Sequence, residues 1–327
     1  MGIQNDIICG YLKENERFAD LFNGGFFQGK QMIKPGELKE ASEVYTGRDR
    51  SLQGSYQRIR DIKKLLDNGM MLRVLAIEGQ THVDYSMPWR CMNYDDLEYG
   101  QQVKRIRKKN HERGMYGSNA ERLCGIRKTD RLVPAYTICL YYGEEPWDGP
   151  RSLKDMMDFG QGSLTWEQRF VDYPMNLICV NEMRDFSCFQ TPLRELFSIM
   201  RYRRDKKGLK LLLKEEPAYQ NVDEETAQVI GILMGVDKFM EKREKYRKED
   251  KYNMCQALQE MMEDSRQDGR VIGREEGREE GREEIIRALV ETFRDFGVER
   301  EEAAARIMKK CSMPQNKAEA IVDRYWE

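Results

Sequence analysis

Asp61, Glu78, Gln80 and Arg90, with Tyr94 four residues after the arginine, are the residues whose types and spacing suit chemistry. Glu78 and Gln80 close the apolar run MMLRVLAIEGQ, and ligands are commonly held at the carboxyl ends of strands. A pair of carboxylates is the ligand set that a hard cation such as Mg²⁺ (or Mn²⁺) prefers. Such an ion keeps several waters and takes one or two protein acids plus substrate phosphate. A metal held there polarises a phosphoryl oxygen and lowers the pKa of an attacking water. A third group just beyond the second acid orients that water or stabilises developing charge. The competing reading is an exposed Asp and Glu on a hairpin, paired with Arg58, Arg60 or Arg73.

For Asp61 and Glu78 to meet, the chain between them must turn back. The runs SYQRIRDIKKLL and MMLRVLAIEGQ flank Asn68-Gly69, a strong signal for a β-hairpin. With Asn68-Gly69 as a two-residue turn, residue 67 pairs with 70 and 61 with 76. Asp61, Ala76, Glu78 and Gln80 then share a face, with the two acids as diagonal neighbours roughly 7 Å apart at Cβ. A three-residue loop would turn Asp61 to the opposite face. The first arm also reads as a short amphipathic helix through Ile59, Ile62 and Leu66.

Around this hairpin, apolar spacing predicts a helix over 6–23, ended by Gly24-Gly25, and a polar surface stretch to about 55. A helix over 88–110 runs into the basic stretch 104–113. Buried strands are expected at 133–143 and 175–182, and a helix at TPLRELFSIM. Strands alternating with helices indicate an α/β domain over 1–205. A helical extension follows over 206–265, then an Arg/Glu/Gly repeat at 266–284 and a small helical segment at 285–327. In the repeat, Gly269, Gly273, Gly277 and Gly281 recur every four residues and trace a slow stripe on a helix. One reading is a solvated, frayed helix or linker; the other is a close-approach seam joining two chains into a homo-oligomer.

The 327 residues carry a net charge of −2, so any nucleic-acid contact must come from a local basic patch. The absence of a long apolar run or a signal-like N-terminus predicts a cytoplasmic protein without a membrane segment. Eight scattered cysteines without a C-x-x-C read as reduced core residues. Only His82 and His111 are present, which excludes multi-histidine metal sites. Thiol hydrolysis would need Cys91 or Cys124 beside one of them, and neither cysteine sits in a nucleophile context.

The segments RFADLFN, RIRDI, LAIEGQ, MPWRCMNYD, EYGQQV and GREEGREEG, in this order, resemble the recombination-promoting nuclease (Rpn) / putative transposase family of bacteria. That family belongs to the PD-(D/E)xK restriction-endonuclease-like superfamily, and many of its members carry E-x-Q where the superfamily has E-x-K. The similarity covers roughly residues 5 to 205, and an Arg-Glu-Glu-Gly tail is a common companion. The resemblance implies a mixed central sheet flanked by helices, followed by a helical C-terminal extension. It also implies a Mg²⁺-dependent deoxyribonuclease linked to recombination, mobile elements or defence. Asp61 matches the first site acid, Glu78 and Gln80 the E-x-Q, and Arg90 and Tyr94 the R-x3-Y. Gln80 cannot supply the positive charge of the superfamily lysine, which leaves that role to Arg90. Asp20 is the candidate for a further metal-binding acid, with a solvent-facing helix position as its alternative. The candidate DNA contacts are Lys104, Arg105, Arg107, Lys108 and Lys109, with Arg201, Arg203 and Arg204 in a second basic stretch. No D-D-E pattern supports strand transfer. The alternative function is a catalytically degenerate nuclease fold that binds DNA or a partner and self-associates.

Overall fold

The computed structural model describes residues 3–49, 54–69, 72–160, 164–234 and 237–326. The chain forms two compact units, residues 1–257 and 258–327. The first is mixed α/β. It opens with helices α1 (Ile3–Leu12) and α2 (Asn15–Leu21). Strands β1 (Leu38–Glu40), β2 (Val44–Asp49), β3 (Gly54–Ile59), β4 (Ile62–Asp67) and β5 (Leu72–Gln80) follow. The long helix α3 (Met87–Arg113) and short α4 (Asn119–Cys124) lead into β6 (Ala135–Tyr141). After α5 (Leu164–Arg169) comes β7 (Asn176–Cys179), which completes a five-stranded sheet of order β1-β4-β5-β6-β7. β1, β4 and β5 run antiparallel, whereas β5, β6 and β7 are parallel. Parallel neighbours need a crossover, and α3 supplies the one between β5 and β6.

The hairpin forms as two strands, not a helix and a strand, but its register differs from the expected one. Asp67 pairs with Leu72 and Ile62 with Ile77. Residues 68–71 therefore lie between the arms; Met70, the expected partner of Asp67, is outside the described residues. Asp67 Oδ1 accepts from Gly69 N at 3.1 Å, and Gly69 takes φ +81°. This Asx-type turn begins a wider loop than a two-residue hairpin allows. The offset is two positions, so residues 62–67 keep the facing expected of them. The pairing stops at Ile62, and the bend at Asp61 breaks the alternation. Arg60 turns to Asp95 and Thr137 on the α3 side, while Asp61 turns to Asn5 of α1 and to Gly79 N. Asp61 therefore does not share the face of Glu78 as expected. The first arm is also shorter than expected. Residues 54–59 belong to β3, which pairs only with β2, and the chain bends at Asp61 before β4.

The expected first helix is divided into α1 and α2, followed by a π-helical turn over Phe22–Phe26. Gly24 and Gly25 lie within that turn because a Cβ there would meet the Phe189 ring at 2.4 Å or the Ile178 side chain at 2.3 Å. Beyond β7 come α6 (Leu193–Arg201), α7 (Lys206–Glu215), β8 (Val222–Asp223), α8 (Glu224–Leu233) and α9 (Asp237–Tyr246). β9 (Arg247–Lys248) and β10 (Lys251–Tyr252) join β8 in a small second sheet.

The compact unit does not end near 205 as the composition suggested. Tyr11 Oη lies 2.7 Å from Thr226 Oγ1, and Arg17 pairs with Glu225 at 2.7 Å, tying α8 to the N-terminal helices. Ala227, Ile230 and Leu233 are buried in the same packing. Amphipathic spacing announces such a helix, but its partner lies two hundred residues upstream.

In the second unit, α10 (Met254–Asp295) stays helical through the whole glycine repeat, so the segment is a helix and not a linker. No atom approaches within 4 Å of a Cβ built on Gly269, Gly273, Gly277 or Gly281. α11 (Arg300–Cys311) and α12 (Gln315–Tyr325) then close a small apolar core around Val290, Ile307 and Val322.

This organisation sets an expected outcome for truncation. A fragment of residues 1–265 should keep a cooperative thermal transition and the sheet signal in circular dichroism. A fragment ending at 205 should lose both, because Ile8, Tyr11 and Leu12 would be left uncovered. Equal melting of the two fragments would contradict the role given to α8.

Candidate functional site

Successive residues of a strand face opposite sides of the sheet. Glu78 therefore faces α3, together with Ala76 and, across the register, Thr137 and Cys139 of β6. Gly79 faces the N-terminal helix, where a Cβ would come within 2.5 Å of Asn5 Oδ1. The two acids are held differently as a result. Asp61, partly exposed at the bend, accepts from Gly79 N at 2.8 Å and from Asn5 Nδ2 at 3.4 Å. Glu78 is 0 % exposed, and neither carboxylate oxygen has a hydrogen-bond donor among the described residues.

A carboxylate taken out of water without donors is costly to ionise. Burial accordingly pushes the Glu78 carboxyl up to about 8, with Arg60 and Arg90 opposing the rise and Asp61 and Asp95 adding to it. Burial also raises Asp61, against the Gly79 N–H, the Asn5 amide and Arg90. Arg90 thus acts on both acids through its charge. Its guanidinium is anchored by Asp84 at 2.6 Å and by a hydrogen bond with Tyr94, one turn along α3. Gln80, half-buried at the end of β5, accepts from Tyr142 N through its carbonyl at 3.0 Å; its side chain follows Glu78 on the same face.

Behind Glu78 lies a buried polar network. Arg60, 1 % exposed, donates to Asp95 at 2.7 Å and to Thr137 at 2.6 Å. Thr137 and Tyr173 donate to the same Asp95 carboxylate at 2.7 and 2.6 Å. Asp95 is thereby saturated while Glu78, nearby, receives nothing. The sequence placed Arg60 as a surface partner for the site acids; it is instead an internal strut between the hairpin and α3. Asn5 and Asp6 were missed altogether. Asp6, exposed on α1, raises the carboxyl of Asp61 through its charge, and its only signal was its position at the start of an amphipathic helix.

Asp20 has a different task. Its carboxylate accepts from Gln190 N, Thr191 N and Thr191 Oγ1 at 3.0, 2.8 and 2.6 Å, fixing the turn that begins α6. That work fills its acceptor positions away from Asp61 and Glu78. The second basic stretch is engaged as well. Arg201 donates to the carbonyls of Asn181 and Met183, and Arg203 to that of Tyr142, each at 2.6 Å. Arg204 pairs with Glu144 and Glu145. Lys104, Arg105, Arg107, Lys108 and Lys109 are exposed along the last turns of α3. Cys91 is buried and its thiol pushed up by that burial, while Cys124 Sγ lies 3.2 Å from Ile126 O. Among the described residues, neither is hydrogen-bonded to a histidine.

Among the described residues, no three His, Cys, Asp or Glu side chains converge as a metal cluster. The pair Asp61 and Glu78 nevertheless fits a hard divalent cation: both supply oxygens, and those of Glu78 are orphaned, buried acceptors. No family model, curated protein or solved structure matches the chain. No helix among the described residues is long and apolar enough to cross a membrane.

The protonation of Glu78 has a measurable consequence without metal. Its folded pKa is raised, so its stabilising contribution is complete below 4.5 and is lost as pH rises towards about 8. The loss amounts to about 1.4 kcal/mol per pH unit within that window. In EDTA, Glu78→Gln should therefore be stabilised relative to the parent, with a gap in melting temperature that widens from pH 5 to pH 8. A gap constant with pH would show that Glu78 is ionised in the folded protein.

Proposed function

We propose that the protein is a metal-dependent DNA endonuclease that hydrolyses phosphodiester bonds at Asp61 and Glu78. The observation that carries this reading is the Glu78 carboxylate, buried at the end of β5 with two oxygens lacking donors among the described residues and a second acid, Asp61, near enough for its charge to act on it. A bound Mg²⁺ or Mn²⁺ would supply charge neutralisation of the phosphate and an acidified water. Asp61 and Glu78 would hold it. Arg90, positioned by Asp84 and Tyr94, would offset charge developing on the phosphate. Gln80 would orient groups by hydrogen bonding. The mixed sheet flanked by helices, and the order of the E-x-Q and R-x3-Y motifs, support the resemblance to the Rpn family of restriction-endonuclease-like proteins. A link with recombination, mobile-element or defence biology rests on that resemblance alone.

A second reading is a nuclease-fold protein that no longer cuts, binds DNA or a partner, and self-associates through α10. It is favoured by the amide at position 80 and by the absence of a third acid joining the pair among the described residues. Truncation at residue 265 would change the oligomeric state under this reading.

Cleavage and metal binding separate the two. Asp61→Ala and Glu78→Gln should each abolish plasmid cleavage with Mg²⁺ or Mn²⁺. Gln80→Ala should slow it by about one to two orders of magnitude, as for a group that positions others. Titration calorimetry in buffers of different ionisation enthalpy should detect proton release on metal binding, with affinity rising with pH towards about 8, where Glu78 ionises. Parent-like cleavage by both acid variants would overturn the assignment of the site.

A further inference from the structure

After α3 the chain turns at Gly114, φ +58°, and comes back along the last turns of the helix through α4 and the loop 125–134. This return is pinned by side chains. Arg107 Nε donates to Cys124 O at 3.0 Å, and Asn110 Nδ2 to Gly125 O at 3.1 Å. The Glu121 carboxylate accepts from Gly117 N at 2.6 Å and Lys128 N at 2.8 Å. Between helix and loop lies a cavity of about 200 Å³ whose wall includes Lys109, Arg113, Arg127, Arg131 and Asp130.

Four cations face one carboxylate, a local excess of three positive charges on a chain whose net charge is −2. The carboxylate does little to neutralise the cavity. Asp130 Oδ2 already accepts from Arg127 N at 2.7 Å and Asn110 Nδ2 at 2.6 Å. Those two donors, with Arg127 and Lys109 nearby, hold its carboxyl below the usual range. Arg131 is oriented by the carbonyls of Lys128 and Asp130, each at 2.8 Å. The negative end of the α3 dipole accounts for part of the cationic excess. The rest is a preformed arrangement of donors suited to an oxyanion. Lys109 and Arg113 are spaced by four, so they lie along one side of α3 at the cavity, while Arg105, one turn before them, pairs with Glu98 at 3.3 Å. A line of cations ending in a cationic cavity suits a chain of phosphates better than a single small anion.

We infer that this corner of α3 and the loop 125–134 is a phosphate-binding subsite for the DNA backbone, apart from the Asp61/Glu78 pair. The subsite rests on the DNA-directed reading of the protein and supplies it with grip, not chemistry. Binding of labelled duplex DNA is measured on the full chain carrying Glu78→Gln, in EDTA, as a function of salt. The combined variant Lys109→Gln, Arg113→Gln, Arg127→Gln should bind at least about tenfold more weakly. Its slope of log affinity against log salt should shrink by about 0.9 for each phosphate that is no longer neutralised. The charge-matched control Lys206→Gln, Lys210→Gln, Lys214→Gln on exposed α7 should keep the parent slope. Circular dichroism checks folding, and Arg113→Gln alone, which should show a smaller change in the same direction, serves if the combined variant unfolds. Parent-like binding by the combined variant, or an equal loss in the control, overturns the subsite. So does loss of thermal stabilisation by inorganic phosphate with DNA binding unchanged, which would assign the cavity to a small phosphate. DNA binding through this corner without cleavage by the metal-loaded parent would instead overturn only the endonuclease reading.

Discussion

A carboxylate buried without a donor among the described residues is the constraint on which the site end of the first unit depends. Glu78 is fully enclosed, and the groups that could have satisfied it are directed elsewhere. Arg60 is committed to Asp95 and Thr137, and Arg90 to Asp84 and Tyr94. Both guanidiniums act on Glu78 through space only. Such an arrangement stores instability at one position, and the surroundings must hold it. They do so with a dense polar lattice. Lys63 pairs with Glu98 at 2.6 Å, and Tyr173, Thr137 and Arg60 converge on Asp95, riveting the hairpin and β6 to α3. Removing one member of a buried pair of this kind leaves its partner's charge uncompensated, which costs about 3–5 kcal/mol. The lattice therefore fixes α3, and with it Arg90, relative to the strand end.

The same lattice explains why two acids so close in the register behave differently. Asp61 sits where the chain bends, just beyond the last paired residue Ile62, and its side chain takes the backbone N–H of Gly79. That N–H belongs to the residue after Glu78, so the site acids are linked through one peptide unit of β5. Gly79 itself must lack a side chain, since a Cβ would collide with Asn5 and disturb the second donor to Asp61. A single glycine between the two polar positions of E-x-Q thus serves the first acid of the site as well as the strand.

Much of this was legible in the sequence, for reasons that can be named. The apolar run MMLRVLAIEGQ beside the Asn-Gly turn signal gave the strand, and the two-residue period of a strand the common facing of Glu78 and Gln80. Asn68-Gly69 gave the reversal, and an even offset in register kept the facing of residues 62–67 although the loop was wider. The bend at Asp61, however, turned that acid away from the face it was expected to share with Glu78. Long-range choices were not legible. Nothing local in RIRDI tells that Arg60 turns inward to Asp95 while Asp61 turns to Gly79 and Asn5. Nothing in α2 tells that Asp20 will fix a turn around residues 190–191. The basic stretch at 201–207 looked like a phosphate surface because charge density says nothing about carbonyls and acids brought in from strand ends and loops. The glycine repeat was ambiguous because local helix propensity is low there, yet the helix persists with apolar turns after it.

The inequality of the two acids has a chemical meaning of its own. On the proposed reading, a cation entering from the bend would meet Asp61 first, already part-satisfied and partly exposed. Ligation by Glu78 would then require it to give up a proton that burial makes it hold. A stronger internal partner for Glu78, such as a bond from Arg60, would lower its pKa and stabilise the metal-free protein, but it would also occupy the oxygens a metal needs. Leaving the carboxylate without donors reserves it. The cost of that reservation falls on the apo protein, and the Arg60–Asp95 lattice is placed where it can offset the cost without touching the reserved oxygens. On this account Arg60 supports Glu78 by staying near it and bonding something else.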